Sequence, residues 1–164
     1  MSRLDSAIRR LAAQRACLDA AAGLIADLPG PVLELGLGNG RSFDHLREAL
    51  PGREIFVFDR RAEAHPDCTP DSDHLILGDF RDTLPAAAAR FGATAALAHC
   101  DIGSGRNAED TRLAAFVAGA LAGLLAPGAV VVADQPLETA TLTALDLPAG
   151  IEPGRYFIYR AAAP

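Results

Sequence analysis

The sequence contains no lysine, so all 15 of its basic residues are arginine. Chemistry that needs a side-chain amine, such as a Schiff base or a lysine general base, is therefore excluded. Cysteine is also scarce: only Cys17, Cys68 and Cys100 occur, and their spacing fits neither a disulfide framework nor a zinc site. An odd number of reduced thiols is typical of a cytoplasmic protein, so we expect that location.

Long apolar runs are missing as well. Charged residues interrupt the first stretch, which therefore lacks the apolar centre of a signal peptide; they are Arg3, Asp5, Arg9, Arg10 and Arg15. No run approaches the roughly 20 apolar residues that a membrane-spanning helix needs. The net charge of −6 disfavours the phosphate backbone of a nucleic acid as a partner and favours a small molecule or a protein.

The first segment predicts an amphipathic helix, because its apolar residues recur at steps of three and four. The predicted apolar stripe consists of Leu4, Ile8, Leu11, Leu18, Ala22 and Ile25. Proline and glycine at 29–31 end this helix. The stripe is also suited to packing between two copies of the chain, so a homodimer is left as an alternative.

After this helix, short continuous apolar runs alternate with helical stretches. The predicted strands are 32–35, 55–58, 75–77, 95–98 and 130–133, the predicted helices are 42–50, 83–91 and 107–125, and 64–73 has the pattern of a loop. The last helix is expected to have Asn107 as its N-cap and to end at Pro127. The alternation predicts the α/β fold class: a doubly wound, Rossmann-like, mostly parallel sheet in a three-layer αβα arrangement.

The end of the chain has a different pattern. Apolar runs at 142–147 and 156–159 are separated by a turn rich in proline and glycine, which predicts an antiparallel hairpin at the sheet edge. A length of 164 residues is enough for one domain with its own core. We expect a single domain over 1–164, with the helix in 1–28, a ligand-binding core in 32–134 and the hairpin in 138–164.

A glycine-rich loop stands where the first strand turns into a helix. It contains Gly36, Gly38 and Gly40 and follows an acidic residue, Glu34. A dinucleotide-binding fingerprint needs a glycine at the sixth position, which is Arg41 here. The motif instead resembles the first motif of class I S-adenosylmethionine-dependent methyltransferases, in which the loop faces the methionine part of the cofactor.

Acidic residues at later strand ends follow the order of that family, and the resemblance extends from Val32 to Asp134. Asp59 ends the second strand, 25 residues after Glu34, where an acidic side chain accepts hydrogen bonds from ribose hydroxyls. The resemblance implies that Asp79 and Phe80 meet the adenine and that Asp101 lies beside the reactive methyl group. The expected cofactor-binding residues are Glu34, Gly36, Leu37, Gly38, Asn39, Gly40, Ser42, Phe43, Asp59, Arg60, Gly78, Asp79, Phe80, Cys100 and Asp101.

The resemblance implies methyl transfer from S-adenosylmethionine to a small-molecule acceptor, with S-adenosylhomocysteine as product. The chain looks most like small bacterial stand-alone methyltransferases of unassigned substrate, so the acceptor is left open. Asp101 is the first candidate to bind the acceptor or take a proton from it, and His99 is the second. Each has a structural alternative, because Asp101 precedes a glycine-rich turn and His99 lies in an apolar run.

A metal-dependent variant also has to be considered. Catechol-type O-methyltransferases, which the strand ends resemble, place two aspartates and one asparagine around Mg²⁺. Asp101 and Asp134 match the aspartates, but Gln135 replaces the asparagine. The catalytic lysine of that family is absent too, which argues against Mg²⁺ dependence.

Two other functions compete with methyl transfer. The first is a nucleotide- or NAD-binding oxidoreductase, in which Arg60 and Arg61 would contact a ribose phosphate. The second is a non-catalytic cofactor-binding module. It is suggested by the short segment between the fifth strand and the hairpin, where an enzyme would carry another helix.

Overall fold

A computed structural model describes residues 2–162, in which seven strands form one sheet and four α-helices pack against it. The strands are β1 (Val32–Leu35), β2 (Ile55–Asp59), β3 (Leu75–Leu77), β4 (Ala95–Cys100), β5 (Leu125–Ala133), β6 (Leu142–Ala144) and β7 (Phe157–Ala161). The helices are α1 (Arg3–Leu24), α2 (Arg41–Ala49), α3 (Phe80–Phe91) and α4 (Asn107–Leu121), and a short 3₁₀ helix (Pro66–Cys68) precedes β3.

The strand order confirms the predicted doubly wound sheet. It is β3-β2-β1-β4-β5-β7-β6, with β1 to β5 parallel and β7 antiparallel to both of its neighbours. The chain winds outward in one direction from β1 to β3 and in the other from β4 onward. Ligands of such sheets bind in the crevice where the winding direction changes, outside the carboxyl ends of the strands.

Helices cover both faces of the sheet, as the three-layer prediction requires. Successive side chains of a strand point to opposite faces, so Leu33 packs on the α3–α4 side and Val32 on the α1–α2 side. All four residues of β1 and all six of β4 are buried. The continuous apolar runs are therefore the signature of strands that are buried on both sides.

The predicted apolar stripe of the first helix is wrong in its first half. Leu4 and Ile8 are 68% and 56% exposed. The inward face there carries polar side chains instead, among them Arg10 and Gln14, which contact residues at the carboxyl ends of the strands. The apolar face that packs on the sheet begins only at Ala13.

The bounds of three predicted helices also differ. α2 begins at Arg41 rather than at 42, and α3 begins at Phe80 rather than at 83, because Asp79 caps it. α4 starts at Asn107 with Arg106 as N-cap and ends at Leu121.

The prediction that α4 extends to residue 125 is wrong, because that residue already pairs with β4. Leu125 pairs with Ala95, and the register then shifts before Val130 pairs with Leu97. Pro127 and Gly128 therefore lie in an irregular stretch of β5 and do not end a helix.

The predicted C-terminal hairpin is confirmed as an antiparallel pair of strands, although its first strand ends at Ala144. β7 inserts between β6 and β5, so the hairpin extends the sheet beyond its parallel part. No helix in the described part of the chain combines the length and the apolar character that crossing a bilayer requires.

Candidate functional site

A cavity of about 550 Å³ lies at the carboxyl ends of β1, β2 and β4. This size is typical of small-molecule sites. Its lining comes from the loops at the ends of three strands and from the starts of α3 and α4: Gly36, Gly38, Asp59, Arg60, Phe80, Arg81, Asp101, Ile102, Ser104, Arg106, Glu109, Asp110, Arg112 and Leu113. Six residues predicted for cofactor binding are among them: Gly36, Gly38, Asp59, Arg60, Phe80 and Asp101.

The glycine loop brings backbone, rather than side chains, to this cavity. Gly36 has φ 97°, and a Cβ there would collide with the carbonyl oxygen of Asp101. Gly40 has φ 77°, and a Cβ there would collide with Cys68. Glycine is therefore required at both positions by close approach and by the left-handed backbone conformation. Gly38 lines the cavity, and Asn39 lies on a neighbouring surface depression with Asp59.

Asp59 holds this loop in place. Its Oδ2 atom accepts hydrogen bonds from the backbone N–H of Leu37 at 2.7 Å and of Gly38 at 3.3 Å. Its Oδ1 atom accepts one from the N–H of Arg61 at 3.2 Å. A carboxylate has about four lone-pair positions, so acceptor capacity remains toward the cavity.

The Gly78–Phe80 turn contributes one side chain to the cavity, that of Phe80. Asp79 caps α3 and forms ion pairs with Arg60 at 2.8 Å and Arg81 at 3.4 Å. The N–H of Arg81, followed by the Arg60 guanidinium, lowers the pKa of Asp79. Gly78 and Asp79, which were expected to contact the cofactor, lie outside the lining, and Asp79 supports the turn and both arginines.

Asp101 lies where β4 ends and is held from the opposite side by α1. Gln14 Nε2 donates to its Oδ2 atom at 3.0 Å, and Arg10 Nη1 lies 3.5 Å from the same atom. The Asp101 side chain is 28% exposed and lines the cavity. Sequence reasoning found Asp101 but missed Arg10 and Gln14, because both stand in an ordinary helical pattern.

A buried polar chain continues from Gln14 to the underside of the glycine loop. Gln14 Nε2 also donates to the Tyr156 hydroxyl at 2.7 Å, and that hydroxyl lies 3.3 Å from His99 Nε2. His99 Nδ1 lies 2.7 Å from Glu34 Oε2, while the Ser42 hydroxyl donates to Glu34 Oε1. All five side chains are buried, so Asp101 is connected through hydrogen bonds to the core of the protein.

His99 is fully buried, as its structural alternative suggested. Burial lowers its pKa, but the carboxylates of Glu34, Asp101 and Asp134 together raise it by more, so that the net shift is upward. A side chain without access to the cavity cannot take a proton from an acceptor directly. His99 is therefore a member of the buried chain, and a role as general base is not proposed.

Four other predicted cofactor contacts are buried outside the cavity lining: Glu34, Ser42, Phe43 and Cys100, each at most 6% exposed. The carboxylate of Glu34 is bonded inward to Ser42 and His99, and Phe43 packs in the core on the α1–α2 side of the sheet. Burial raises the pKa of the Cys100 thiol well above its ordinary value, which keeps the thiol neutral. Leu37 contributes its backbone N–H to Asp59, while its side chain is buried. A direct contact with the cofactor is not proposed for these side chains.

Two carboxylates hold the loop that follows Asp101. Asp134 accepts the N–H groups of Ile102 at 3.0 Å and Gly103 at 2.9 Å. Asp110 accepts those of Ser104 at 3.0 Å, Gly105 at 3.0 Å and Arg106 at 3.1 Å. Every backbone N–H from 102 to 106 therefore donates to a carboxylate, and the loop has a defined shape.

These contacts bear on the metal-dependent alternative. Both carboxylate oxygens of Asp134 accept backbone hydrogen bonds, and Gln135 Nε2 lies 3.4 Å from one of them. Burial raises the pKa of Asp134. Within residues 2–162, no group of three or more acidic, histidine or cysteine side chains is placed to hold a metal ion. A metal site is not proposed.

Comparison with known proteins gives the family. The chain matches the S-adenosyl-L-methionine methyltransferase family over residues 1–161. It is 48% identical to an S-adenosyl-L-methionine methyl transferase from Silicibacter pomeroyi DSS-3, with a TM-score of 0.94 and 99% of each chain covered. No curated protein sequence matches the chain.

More distant structures share the fold. The O-methyltransferase TomG from Streptomyces achromogenes, crystallised with SAM, is 17% identical with a TM-score of 0.57, covering 99% of this chain and 82% of TomG. Human methyltransferase-like protein 13, in complex with SAH, is 14% identical with a TM-score of 0.58, covering 93% and 81%. The NAD-binding alternative is not favoured, because the family match extends over nearly the whole chain. The chain belongs to the S-adenosyl-L-methionine methyltransferase family and is an S-adenosylmethionine-dependent methyltransferase.

Proposed function

We propose that the protein transfers the methyl group of S-adenosylmethionine to a small-molecule acceptor that binds beside Asp101 in this cavity. The observation that carries this proposal is the position of Asp101. Its main chain closes against Gly36 of the glycine loop, and its partly exposed carboxylate is oriented by Gln14. We further propose that a single domain over 1–164 carries the whole site.

The cavity fits the cofactor in size and in chemistry. Gly36 and Gly38 leave space for a ligand to approach the backbone, and α2 starts behind them with its free N–H groups. The remaining acceptor positions of Asp59 suit the ribose hydroxyls, and Phe80 offers an apolar surface to the adenine. When bound, the cofactor supplies an electrophilic methyl group on a positively charged sulfur.

Asp101 is proposed to orient the acceptor and to accept a proton from its hydroxyl or ammonium group. The hydrogen bond from Gln14 and the nearby guanidinium of Arg10 hold the carboxylate in one orientation. Such fixation is useful because methyl transfer requires the acceptor atom to stand in line with the methyl group. The ordered loop at 102–106 supports the same geometry from the other side.

A small molecule is favoured over a nucleic acid because the chain has a net charge of −6. Binding to a phosphate backbone gains most of its free energy from basic side chains. TomG is an O-methyltransferase involved in tomaymycin synthesis, whereas a 16S rRNA (adenine(1408)-N(1))-methyltransferase from Catenulisporales acidiphilia shares the fold with a TM-score of 0.52. The fold thus serves both acceptor classes.

The proposal is tested in two steps. Calorimetric titration with S-adenosylmethionine, S-adenosylhomocysteine and NAD should give saturable binding for the first two alone. The protein is then incubated with methyl-labelled S-adenosylmethionine and either ultrafiltered small metabolites or total RNA, each with and without Mg²⁺. Label in the small-metabolite fraction is expected, and label confined to RNA would contradict the proposed acceptor class.

A further inference from the structure

Tyr156 places a phenol hydroxyl at the centre of the buried polar chain. The side chain is fully buried, and its hydroxyl lies 2.7 Å from Gln14 Nε2 and 3.3 Å from His99 Nε2. Burial, followed by the carboxylates of Asp101 and Asp134, raises the pKa of Tyr156, so the hydroxyl keeps its proton. It therefore has one hydrogen to donate and two lone pairs that accept, and at this depth an unsatisfied hydrogen costs free energy.

The Gln14 amide determines the first hydrogen-bond direction. Its Nε2 group carries two hydrogens, and the two oxygens within reach are Asp101 Oδ2 at 3.0 Å and the Tyr156 hydroxyl. A reversed amide would bring its own oxygen against the Asp101 carboxylate, and two acceptors repel each other. Because an amide nitrogen donates but does not accept, the Tyr156 oxygen must accept the second hydrogen.

The remaining directions follow when His99 is neutral. Since the Tyr156 oxygen accepts from Gln14, its own hydrogen points to His99 Nε2. Nε2 is then the acceptor of the imidazole ring, and Nδ1 carries the hydrogen that is donated to Glu34 Oε2 at 2.7 Å. In this state the hydrogens of Gln14, Tyr156 and His99 all have acceptors.

Protonation of His99 changes the hydrogen bonds of Tyr156. Both imidazole nitrogens then donate, so the Tyr156 oxygen accepts from His99 and Gln14 together, and its own hydrogen loses its acceptor. In the part of the chain that the structure describes, the hydroxyl has no third hydrogen-bond partner. Hydrogen bonds that run in one direction along a chain strengthen one another. The reversal at Tyr156 therefore weakens its hydrogen bond with Gln14.

The buried chain transmits orientation and not protons. An amide does not act as an acid or a base near neutral pH, so Gln14 interrupts any proton path between Tyr156 and Asp101. We propose that Tyr156 is a positioning residue for methyl transfer: its hydroxyl fixes the Gln14 amide that orients Asp101, and it makes this orientation depend on the protonation of His99. The inference rests on the proposed function, in which Asp101 orients the acceptor.

Charged groups from several elements face His99 and Tyr156. They are Glu34 of β1, Asp101 and Asp134 at the ends of β4 and β5, and Arg10 of α1. Burial also raises the pKa of Asp134, so this carboxylate titrates above its ordinary range. A response of Gln14 to pH is therefore assigned to His99 only when its midpoint equals that of the His99 ring.

The test uses the full-length protein saturated with S-adenosylhomocysteine, and NMR follows the side-chain amide resonances of Gln14 while the pH is varied. In the parent, these resonances should shift with the midpoint of the His99 ring. Tyr156→Phe should lose most of this shift, because only the direct field of the histidine charge remains. A parent whose Gln14 amide does not follow His99 overturns the proposal, and this observation needs no variant. A Tyr156→Phe protein whose Gln14 shift equals that of the parent overturns it as well.

Tyr159→Phe is the matched control. Tyr159 is the other tyrosine of the chain and is also buried, but it packs on the opposite face of the sheet, where its hydroxyl accepts the N–H of Leu137 at 2.9 Å. The variant removes the same atom from a buried position, so it should lower the melting temperature and keep the Gln14 shift of the parent. An equal loss of that shift in both variants would mean general loosening of the core and would contradict the proposal.

Turnover separates this inference from the proposed function. With the acceptor found in the screen, Tyr156→Phe should lower kcat about threefold and leave the KM for S-adenosylmethionine unchanged, whereas Tyr159→Phe should keep the kcat of the parent. The kcat of the parent should rise with pH through the His99 midpoint, and Tyr156→Phe should lack this step. An unchanged kcat and pH profile in Tyr156→Phe would overturn the positioning role and leave the proposed function intact. Methylation of RNA alone would contradict the proposed function, while the NMR titration would still decide whether Tyr156 connects His99 to Gln14.

Discussion

Gln14 Nε2 donates a 3.0 Å hydrogen bond to Asp101 Oδ2, a contact between the first helix and the end of β4 that spans 87 residues of sequence. The same nitrogen donates to the Tyr156 hydroxyl at 2.7 Å. One amide group therefore links the partly exposed carboxylate of Asp101 to the buried chain of Tyr156, His99 and Glu34. The orientation of Asp101 depends on groups that never reach the cavity.

Replacing Gln14 should separate binding from turnover. Gln14→Leu removes both hydrogen bonds and should lower the free energy of unfolding by about 1–3 kcal/mol. Turnover should fall about tenfold, because Asp101 loses its orientation, while the affinity for S-adenosylmethionine stays at the parent value. Urea unfolding, calorimetry and a methyl-transfer assay measure the three quantities. If cofactor affinity fell as much as turnover, Gln14 would only stabilise the fold.

Asp101 itself should be needed for transfer but not for binding the cofactor. Asp101→Ala should abolish methyl transfer to the acceptor found in the screen, because the acceptor loses its oriented partner. The calorimetric affinity for S-adenosylhomocysteine should remain close to that of the parent. Unchanged turnover in this variant would remove Asp101 from the mechanism.

Asp59 should dominate cofactor affinity. Asp59→Ala removes the proposed ribose contacts and the two hydrogen bonds that hold Leu37 and Gly38. Losing these charge-assisted bonds should cost about 1.5–3 kcal/mol of binding free energy, which weakens S-adenosylmethionine binding about ten- to hundredfold. Asp79→Ala is the matched variant, because Asp79 caps α3 outside the cavity lining. Asp79→Ala should weaken S-adenosylmethionine binding less than Asp59→Ala does. If Asp59→Ala bound S-adenosylmethionine as tightly as the parent, the assignment of Asp59 to the ribose would be wrong.

Much of the fold follows from local sequence signals. The apolar runs and the glycine loop predicted the parallel strands of a doubly wound sheet, because continuous burial and close backbone approach each require particular residue types. The buried polar chain under the glycine loop has no comparable pattern in the sequence. Gln14 and Tyr156 are 142 residues apart, and each has an ordinary residue pattern around it.

The missed details have a common physical origin. The exposed Leu4 and Ile8 look like core residues in sequence, since helical periodicity identifies an apolar stripe but not what covers it. α4 was predicted four residues too long because Leu125 is equally suited to a helix and to a buried strand. Tertiary pairing with Ala95 decides between the two.

Hydrogen exchange can resolve the two carboxylates that hold the loop after Asp101. Asp110→Asn should speed amide exchange at Ser104, Gly105 and Arg106, whose N–H groups it accepts. Asp134→Asn is the reciprocal variant and should speed exchange at Ile102 and Gly103 instead. Uniform acceleration across the loop in both variants would mean that the loop opens as one unit.

The buried pair of His99 and Glu34 should make stability depend on pH. The pKa of folded His99 is raised above the ordinary value of 6.5, since burial, which lowers it, is outweighed by the carboxylates of Glu34, Asp101 and Asp134 together. Below pH 6.5 the histidine is protonated in both the folded and unfolded states, so the pair contributes its full stabilisation. As pH rises from there through the raised pKa, the folded state loses its extra proton and the contribution disappears. The free energy of unfolding in urea should therefore fall over this range.

His74 must be separated from His99 in that measurement, because the pKa of His74 is also raised, first by its hydrogen bond to Asp71 and then by Glu54. His74→Asn removes this surface contribution, and the decline that remains should come from His99. Glu34→Gln removes the charge that raises the pKa of His99, so the NMR titration midpoint of His99 should drop relative to the parent. A parent midpoint below 6.5 would show that burial outweighs the carboxylate, and the sign of the pH dependence would then reverse.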